Sequence, residues 1–236
     1  MKTIFHSKNT RGQTDFGWLK ANYSFSFANF YNPQRESFGK LRVLNDDIIA
    51  PEKGFGTHPH QNMEIISIPL QGSLAHKDSL NHESIIQTGD IQVMSAGTGI
   101  LHSEYNPSKT SPCNLLQLWI LPNKANVAPR YDQKSFLAEA EKNKFNTIVA
   151  PKNKVKDALW IHQNVYLKIA RIDQGKVLKY QLSNTNNGIY AFVISGSLKI
   201  AETNLQEKDA IGIIDFNDIT IEATADTRIL IIETPV

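Results

Sequence analysis

Residues 54–60 read GFGTHPH, residues 97–104 read GTGILHSE, and between them lies QNMEIISIPLQGSLAHKDSLNHESIIQTGDIQVMSA (61–96). The intervening run is a series of short apolar segments broken by Gly and Asp turns, which reads as β-strands. In a strand, successive side chains point to opposite faces, so residues i and i+2 share a face. His58 and His60 therefore aim at one point, and so do His102 and Glu104. If the two strands are neighbours in a sheet or barrel, their imidazoles and carboxylate converge as the ligand set of a divalent transition metal. Four protein ligands leave two positions open on an octahedral ion, whereas a tetrahedral zinc would be saturated. Spacing alone leaves Fe, Mn, Co, Ni, Cu and Zn open. Pro59 stiffens the first pair and restricts it to an edge or bulged position. Gly54 and Gly56 precede one pair, and Gly97 and Gly99 the other, which suits sharp entries into site-bearing strands.

Strand signals continue outward. IQVM (91–94), LLQLWIL (115–121), YLKIARI (166–172), YAFVIS (190–195), ITIEA (219–223) and RILIIE (228–233) are short and rich in β-branched or aromatic residues. The expected class is all-β, a sandwich or barrel. One segment, QKSFLAEAEKNK (133–144), predicts a short helix, with Phe136, Leu137 and Ala140 on one face. A weak internal repeat relates IISIPLQGSLAHKDS (65–79) to YAFVISGSLKIAET (190–203). In each copy an apolar strand runs into Gly-Ser-Leu and a second strand. Two copies imply two stacked antiparallel domains of one architecture. The polar connection PNKANVAPR (122–130) divides the chain into residues 1–125 and 126–236. Counting back from Gly196 by the distances that separate Gly72 from His58 and His60 lands on Leu182 and Asn184, and no His follows Asp209. A metal would then belong to the first half alone, leaving the second structural or shaping an interface.

The chain has 236 residues, 41% hydrophobic and 20% charged, with a net charge of +2. Its Lys and Arg residues are scattered, so nothing predicts nucleic acid or an anionic membrane as partner. The sole cysteine, Cys113, excludes an internal disulfide and fits a reducing cytosol. It reads as a small packed residue rather than a reactive thiol. The N-terminal MKTIFHSKNTRGQTDFGWLK lacks the apolar core of a signal peptide, and no stretch approaches the roughly 20 apolar residues of a membrane span. The expected location is the cytoplasm. His6, His76, His82 and His162 read as structural or solvated, with His76 a hydrogen-bonding residue near Asp78. Trp18, Trp119 and Trp160 read as core or interface.

GFGTHPHQNMEIISIPLQGSLAHKDS (54–79) followed by GDIQVMSAGTGILHSEYN (89–106) closely resembles the two signature segments of the pirin family, within the cupin superfamily. SFSFANFYNP (24–33) and RVLNDDIIAPEKGFGTHPH (42–60) also look like its bacterial members. The resemblance is strong from Ile4 to Leu121 and looser to the C-terminus. It implies a bicupin, two stacked β-sandwich or barrel domains of which the second lacks metal ligands. It places the family's metal ligands on His58, His60, His102 and Glu104, with iron, Fe(II), the usual metal. Cupins in general use a Glu shortly after the His pair, a place Glu64 holds here; 60 and 64 share a face if the strand is regular. Glu64 is therefore an alternative ligand or reserve base.

Bacterial and human members of that family are associated with quercetin 2,3-dioxygenase activity, and the eukaryotic nuclear member with redox-dependent transcriptional coregulation. The expectation is ring cleavage of a flavonol-like enol with O₂, Glu104 acting as base on the substrate hydroxyl. The alternative is a metal-bound, redox-sensing regulatory protein that binds a protein partner.

Overall fold

Alternation sets the layers. In the strand Cys113–Ile120, CNLLQLWI, residues Leu116, Leu118 and Ile120 turn to one face and Leu115, Gln117 and Trp119 to the other. The first face meets the other half of the chain. Leu116, Leu118 and Ile120, with Ile66 and Ile68, pack in one cluster with Leu167, Tyr190, Phe192, Leu230 and Ile232. The second face points into the first half's own interior, where Leu115 joins Leu19, Ile49, Leu74 and Ile86. The computed structural model describes residues 1–136 and 141–236.

The fold is a bicupin of two sandwiches set back to back. In the first, a seven-stranded sheet runs in the order Arg130–Ser135, Asp90–Ser95, Glu64–Gln71, Cys113–Ile120, Leu41–Ile49, Leu19–Tyr23, Gly12–Asp15. Facing it is a four-stranded sheet of Gly54–His60, Ile100–Tyr105, Ser73–Asp78 and Glu83–Gln87. The second sandwich repeats the plan. Its large sheet runs Lys2–His6, Ala210–Ile214, Asn187–Ser195, Thr227–Pro235, Tyr166–Ile172, Asn146–Pro151, Leu159–Ile161. Its small sheet holds Val177–Gln181, Asp218–Ala223, Ser197–Ile200 and Thr203–Gln206. The two large sheets enclose the shared core, in which each fully buried aliphatic side chain contributes about 1.5–3 kcal/mol.

The repeat is kept down to its turns. Gly72 and Gly196 occupy matching bends with φ of 76° and 85°. A side chain at Gly196 would collide with the Asp226 carbonyl, so both the conformation and the space demand glycine. The halves also exchange a strand. Lys2–His6 pairs with Ala210–Ile214 of the second sandwich, while Arg130–Ser135 pairs with Asp90–Ser95 of the first. His6 reaches across at 2.9 Å to the Tyr190 hydroxyl. We propose keeping the division at residues 125/126, with this reciprocal exchange across it.

The helix expected over 133–144 does not form where the chain is described. Gln133, Lys134 and Ser135 are strand, and Phe136 is buried in the shared core. An unpaired edge on Asp90–Ser95 competes for these residues, and ladder pairing satisfies more backbone groups than an isolated short helix would. Leu137 and Ala140 lie outside the described residues. Residues 142–143 form a turn, with Asn143 at φ 56°. Among the described residues the one helical element is the 3₁₀ turn Lys8–Thr10, and no helix is long and apolar enough to cross a membrane.

Candidate metal centre

The two motif strands are direct neighbours. Gly54–His60 pairs antiparallel with Ile100–Tyr105, placing His58 opposite His102 and His60 opposite Ile100. The register shifts between His102 and Glu104, so that Glu104 lies opposite Phe55. Gly56 and Thr57 on one strand thus oppose the single Ser103 on the other, a bulge that re-aims the side chains. The rings of His58, His60 and His102 converge, with centroids 4.4 Å (58–102), 4.9 Å (58–60) and 4.9 Å (60–102) apart. Their ligand nitrogens lie within 4.8 Å of one another.

The tautomer of His58 follows from its neighbour. Its Nδ1–H donates to the Gly56 carbonyl at 2.8 Å, because a carbonyl only accepts, and that leaves the Nε2 lone pair free for a metal. His102 is 2% exposed, and neither of its ring nitrogens has a partner. Orphaned buried nitrogens cost free energy and are rare in native folds. A metal ion resolves that cost, so the residues fit one. Burial first, then the neighbouring imidazoles, lowers His60 to about 4 and His102 to about 3. Both rings are neutral at pH 7 and ready to ligate.

Glu104 sits deeper. Its carboxylate accepts from Ser67 Oγ at 3.3 Å and Gln117 Nε2 at 2.8 Å. At the 4.8 Å spacing it groups with His102 and His76 rather than with His58 and His60, so His102 belongs to both sets. His76 has the hydrogen-bonding place expected of it: its Nε2 lies 3.3 Å from Asp78 Oδ2, while its Nδ1 is buried without a partner. Asp78 also receives His82 Nδ1 at 3.1 Å and the backbone N–H groups of Leu80 and His82. Burial alone would raise the Asp78 carboxyl, but these hydrogen bonds prevail and hold it below its ordinary range.

Glu64 does not share a face with His60, contrary to the strand-parity expectation. Asn62, at φ 49°, breaks the strand between them. Ser67 faces Glu104, so Glu64, an odd number of positions away, points through the sheet to the opposite side. There it accepts from Ser95 Oγ at 2.7 Å and lies near the His162 backbone and Arg130. Burial, only partly offset by these partners, pushes it up to about 7. Cys113 is also buried, and burial pushes its thiol up to about 11, so it stays protonated. Leu182 and Asn184 are not the counterparts of His58 and His60. Five residues separate Val177–Gln181 from Asn187–Ser195, against three between His60 and Glu64. The strand register therefore matches His58 with Tyr180 and carries His60 to Leu182.

A cavity of about 450 Å³ opens onto His58, His60 and Glu104. Trp18, Tyr23, Phe27, Phe55 and Trp119 supply most of its aromatic wall, with Phe16 exposed beside them. Trp119 stands edge-on to His60, 4.9 Å between centroids, and donates from Nε1 to Gln117 Oε1 at 3.3 Å. The cavity is of the size and apolar character that holds drug-sized organic ligands. Asp47 also lines it: burial, then Asp46 and Glu104, raises its carboxyl to about 8. Sequence reading missed Ser67, Gln117, Asp47 and the aromatic wall. Gln117 alone carried a signal, being the polar residue at an inward position of LLQLWIL.

Comparisons with known proteins span nearly the whole chain. A family profile described as Pirin matches residues 5–120, and one described as Quercetinase C-terminal cupin domain matches residues 147–234. A protein named quercetin 2,3-dioxygenase from Escherichia coli K12 is 37% identical, over 96% of each chain. A pirin-like protein from Caulobacter vibrioides is 38% identical, over 94% of this chain and 95% of its own. Several further relatives carry the dioxygenase name with a provisional qualifier. The crystal structure of the bacterial pirin YhhW from Escherichia coli in complex with nickel(II) superposes with a TM-score of 0.93 at 35% identity, covering 99% of both chains.

Proposed function

The chain belongs to the pirin family, and from that premise we propose that it is a metal-dependent dioxygenase that opens the ring of a quercetin-type flavonol. The carrying observation is a cluster of three imidazoles and a buried carboxylate beneath an aromatic-walled cavity of about 450 Å³. His58, His60, His102 and Glu104 would hold a divalent transition metal, with iron our first choice; nickel is the ion in the Escherichia coli relative's structure. When bound, such a metal supplies Lewis-acid and redox chemistry, lowering the pKa of an adjacent substrate hydroxyl and allowing an enolate to react with O₂.

The protein's own residues do the rest. Trp18, Phe27, Phe55 and Trp119 stack and orient a flat aromatic substrate and exclude bulk water. Ser67 and Gln117 fix the Glu104 carboxylate, which takes the proton of the substrate hydroxyl. Glu64, on the far face of the sheet, has no part in this. Small-molecule substrate and O₂ are the partners this function requires, and the single cysteine fits the cytoplasm.

The test is O₂ uptake with quercetin by apo-protein reloaded separately with Fe, Mn, Co, Ni and Cu. Metal-dependent uptake that disappears in His58→Ala is expected. Tight metal binding with no uptake on any flavonol would overturn the enzymatic reading in favour of a redox-sensing regulator.

A further inference from the structure

Where the two sandwiches meet, a second cavity of about 140 Å³ opens, remote from the imidazole cluster. Its apolar walls come from both halves: Ile68 from the first large sheet, Ile148 and Ile169 from the second, and Phe136 from the connection. Its polar end is a pair of arginines. Arg171 and Arg228 stand directly opposite each other on antiparallel neighbours. Like charges so placed destabilise a sheet unless something neutralises them.

Nothing among the described residues does so. Neither guanidinium forms an ion pair or side-chain hydrogen bond with a described residue, and Arg228 Nε is buried without a partner. Burial, then Arg171, holds Arg228 below its ordinary pKa. Asp90 lines the same cavity but is engaged elsewhere, accepting from Gln87 N–H and Gln133 Nε2, each at 3.0 Å. Other enclosed arginines are provided for: Arg130 lies 2.8 Å from Asp132, and Arg35 donates to Thr10.

We propose that this cleft binds a small single-ring aromatic carboxylate, its carboxylate on Arg228 and Arg171 and its ring among Ile148, Ile169, Ile68 and Phe136. The volume matches: an apolar cavity of about 150 Å³ accepts a benzene-sized ring. The planar guanidinium fork matches a carboxylate in shape and charge. Because the walls belong to both sandwiches, the ligand bridges them, and its binding raises the melting temperature. No part of the metal centre is involved.

The probe is benzoate, titrated into the full chain with ¹³C-labelled isoleucine methyls, with benzyl alcohol and inorganic phosphate as the ring without charge and the charge without ring. Saturable shifts at Ile148 and Ile169 are expected, and Arg228→Gln weakens binding by roughly tenfold or more. Arg171→Gln, at an exposed position, weakens it less and serves as the second variant if Arg228→Gln fails to fold. Both control compounds bind at least about tenfold more weakly than benzoate, the loss of either half of the recognition. Shifts confined to Ile65, which belongs to the cluster packed against Trp119 of the metal cavity, or unchanged affinity in a folded Arg228→Gln, would overturn the proposal. Phosphate binding as well as benzoate would reduce the site to an adventitious ion only and overturn it too.

Discussion

The two sandwiches share the order of their paired sheets and their turn glycines, yet one surrounds a polar cluster and the other a sealed apolar core. Register makes the comparison residue by residue. Where the first half has His58 opposite His102, the second has Tyr180 opposite Ile219. Where Glu104 faces His76, Ile221 faces Ile200. Where Gln117 faces Ser67, Ile231 faces Ala191. All six second-half residues lie in one buried cluster. The bulge that re-aims Gly56 and Thr57 has no counterpart in the regular pairing of Val177–Gln181 with Asp218–Ala223. Tyr180 turns its hydroxyl to Glu233 at 2.7 Å, and that carboxylate is further held by the Ser183 and Asn184 N–H groups. The scaffold therefore does not make the site. Polar residues at a few inward positions, a bulge and an unfilled cavity make it, and a tyrosine with aliphatic residues at the matching positions converts it into core.

The comparison can be broken most severely at its centre. His102→Ala should abolish metal retention and any metal-dependent activity, since His102 belongs to both ligand groupings; His58→Ala should cost at least about tenfold in metal affinity. Metal titration followed by elemental analysis measures both. The converse graft, Tyr180→His with Ile219→His and Ile221→Glu, should bind no metal and should destabilise the fold by several kcal/mol, because those groups would be buried without partners. Denaturant unfolding reads the loss, and a metal-binding graft would refute the claim that a prepared cavity is needed.

Between the halves, Leu118→Ala should cost about 2–5 kcal/mol, the usual range for emptying a core leucine site, with metal content unchanged. Glu64→Gln sharpens the distinction between the two faces of the large sheet. Glu64 is raised from 4.5 to about 7 in the folded chain, so between those values the folded state holds more protons than the unfolded one. The Glu64 contribution to stability should therefore fall as pH rises from about 4.5 through about 7 and then level off, so the difference between wild type and Glu64→Gln should change by an amount on the order of 3 kcal/mol across that window. Urea unfolding at successive pH values checks it. The smallest effect belongs to Asn184→Ala, which loses one turn contact to the Asn186 N–H at 3.1 Å; about 1 kcal/mol or less and no change in metal binding are expected.

Much of this was legible in residues 54–106. Period-two spacing brings His58, His60 and His102 together, and the Gly-Ser-Leu repeat announces a second sandwich. What escaped depends on contacts between distant segments. The 133–144 segment has helical spacing, but the open edge of Asp90–Ser95 takes Gln133–Ser135 as strand. Glu64 follows His60 at an even interval, yet the Asn62 turn resets the face. Leu182 and Asn184 missed their places because a loop in the second half is two residues longer, which spacing counted from a single glycine does not reveal. The strand exchange and the aromatic wall from Trp18, Tyr23 and Phe27 lie far in sequence from the motif they serve.

The most direct measurement is metal stoichiometry per chain in the wild type, His102→Ala and Tyr180→Phe, after reloading and exhaustive dialysis. One ion per chain in the wild type and Tyr180→Phe, with none in His102→Ala, is the expected result. Two ions per chain, or an ion retained by His102→Ala, would contradict the assignment of a single centre to the first sandwich.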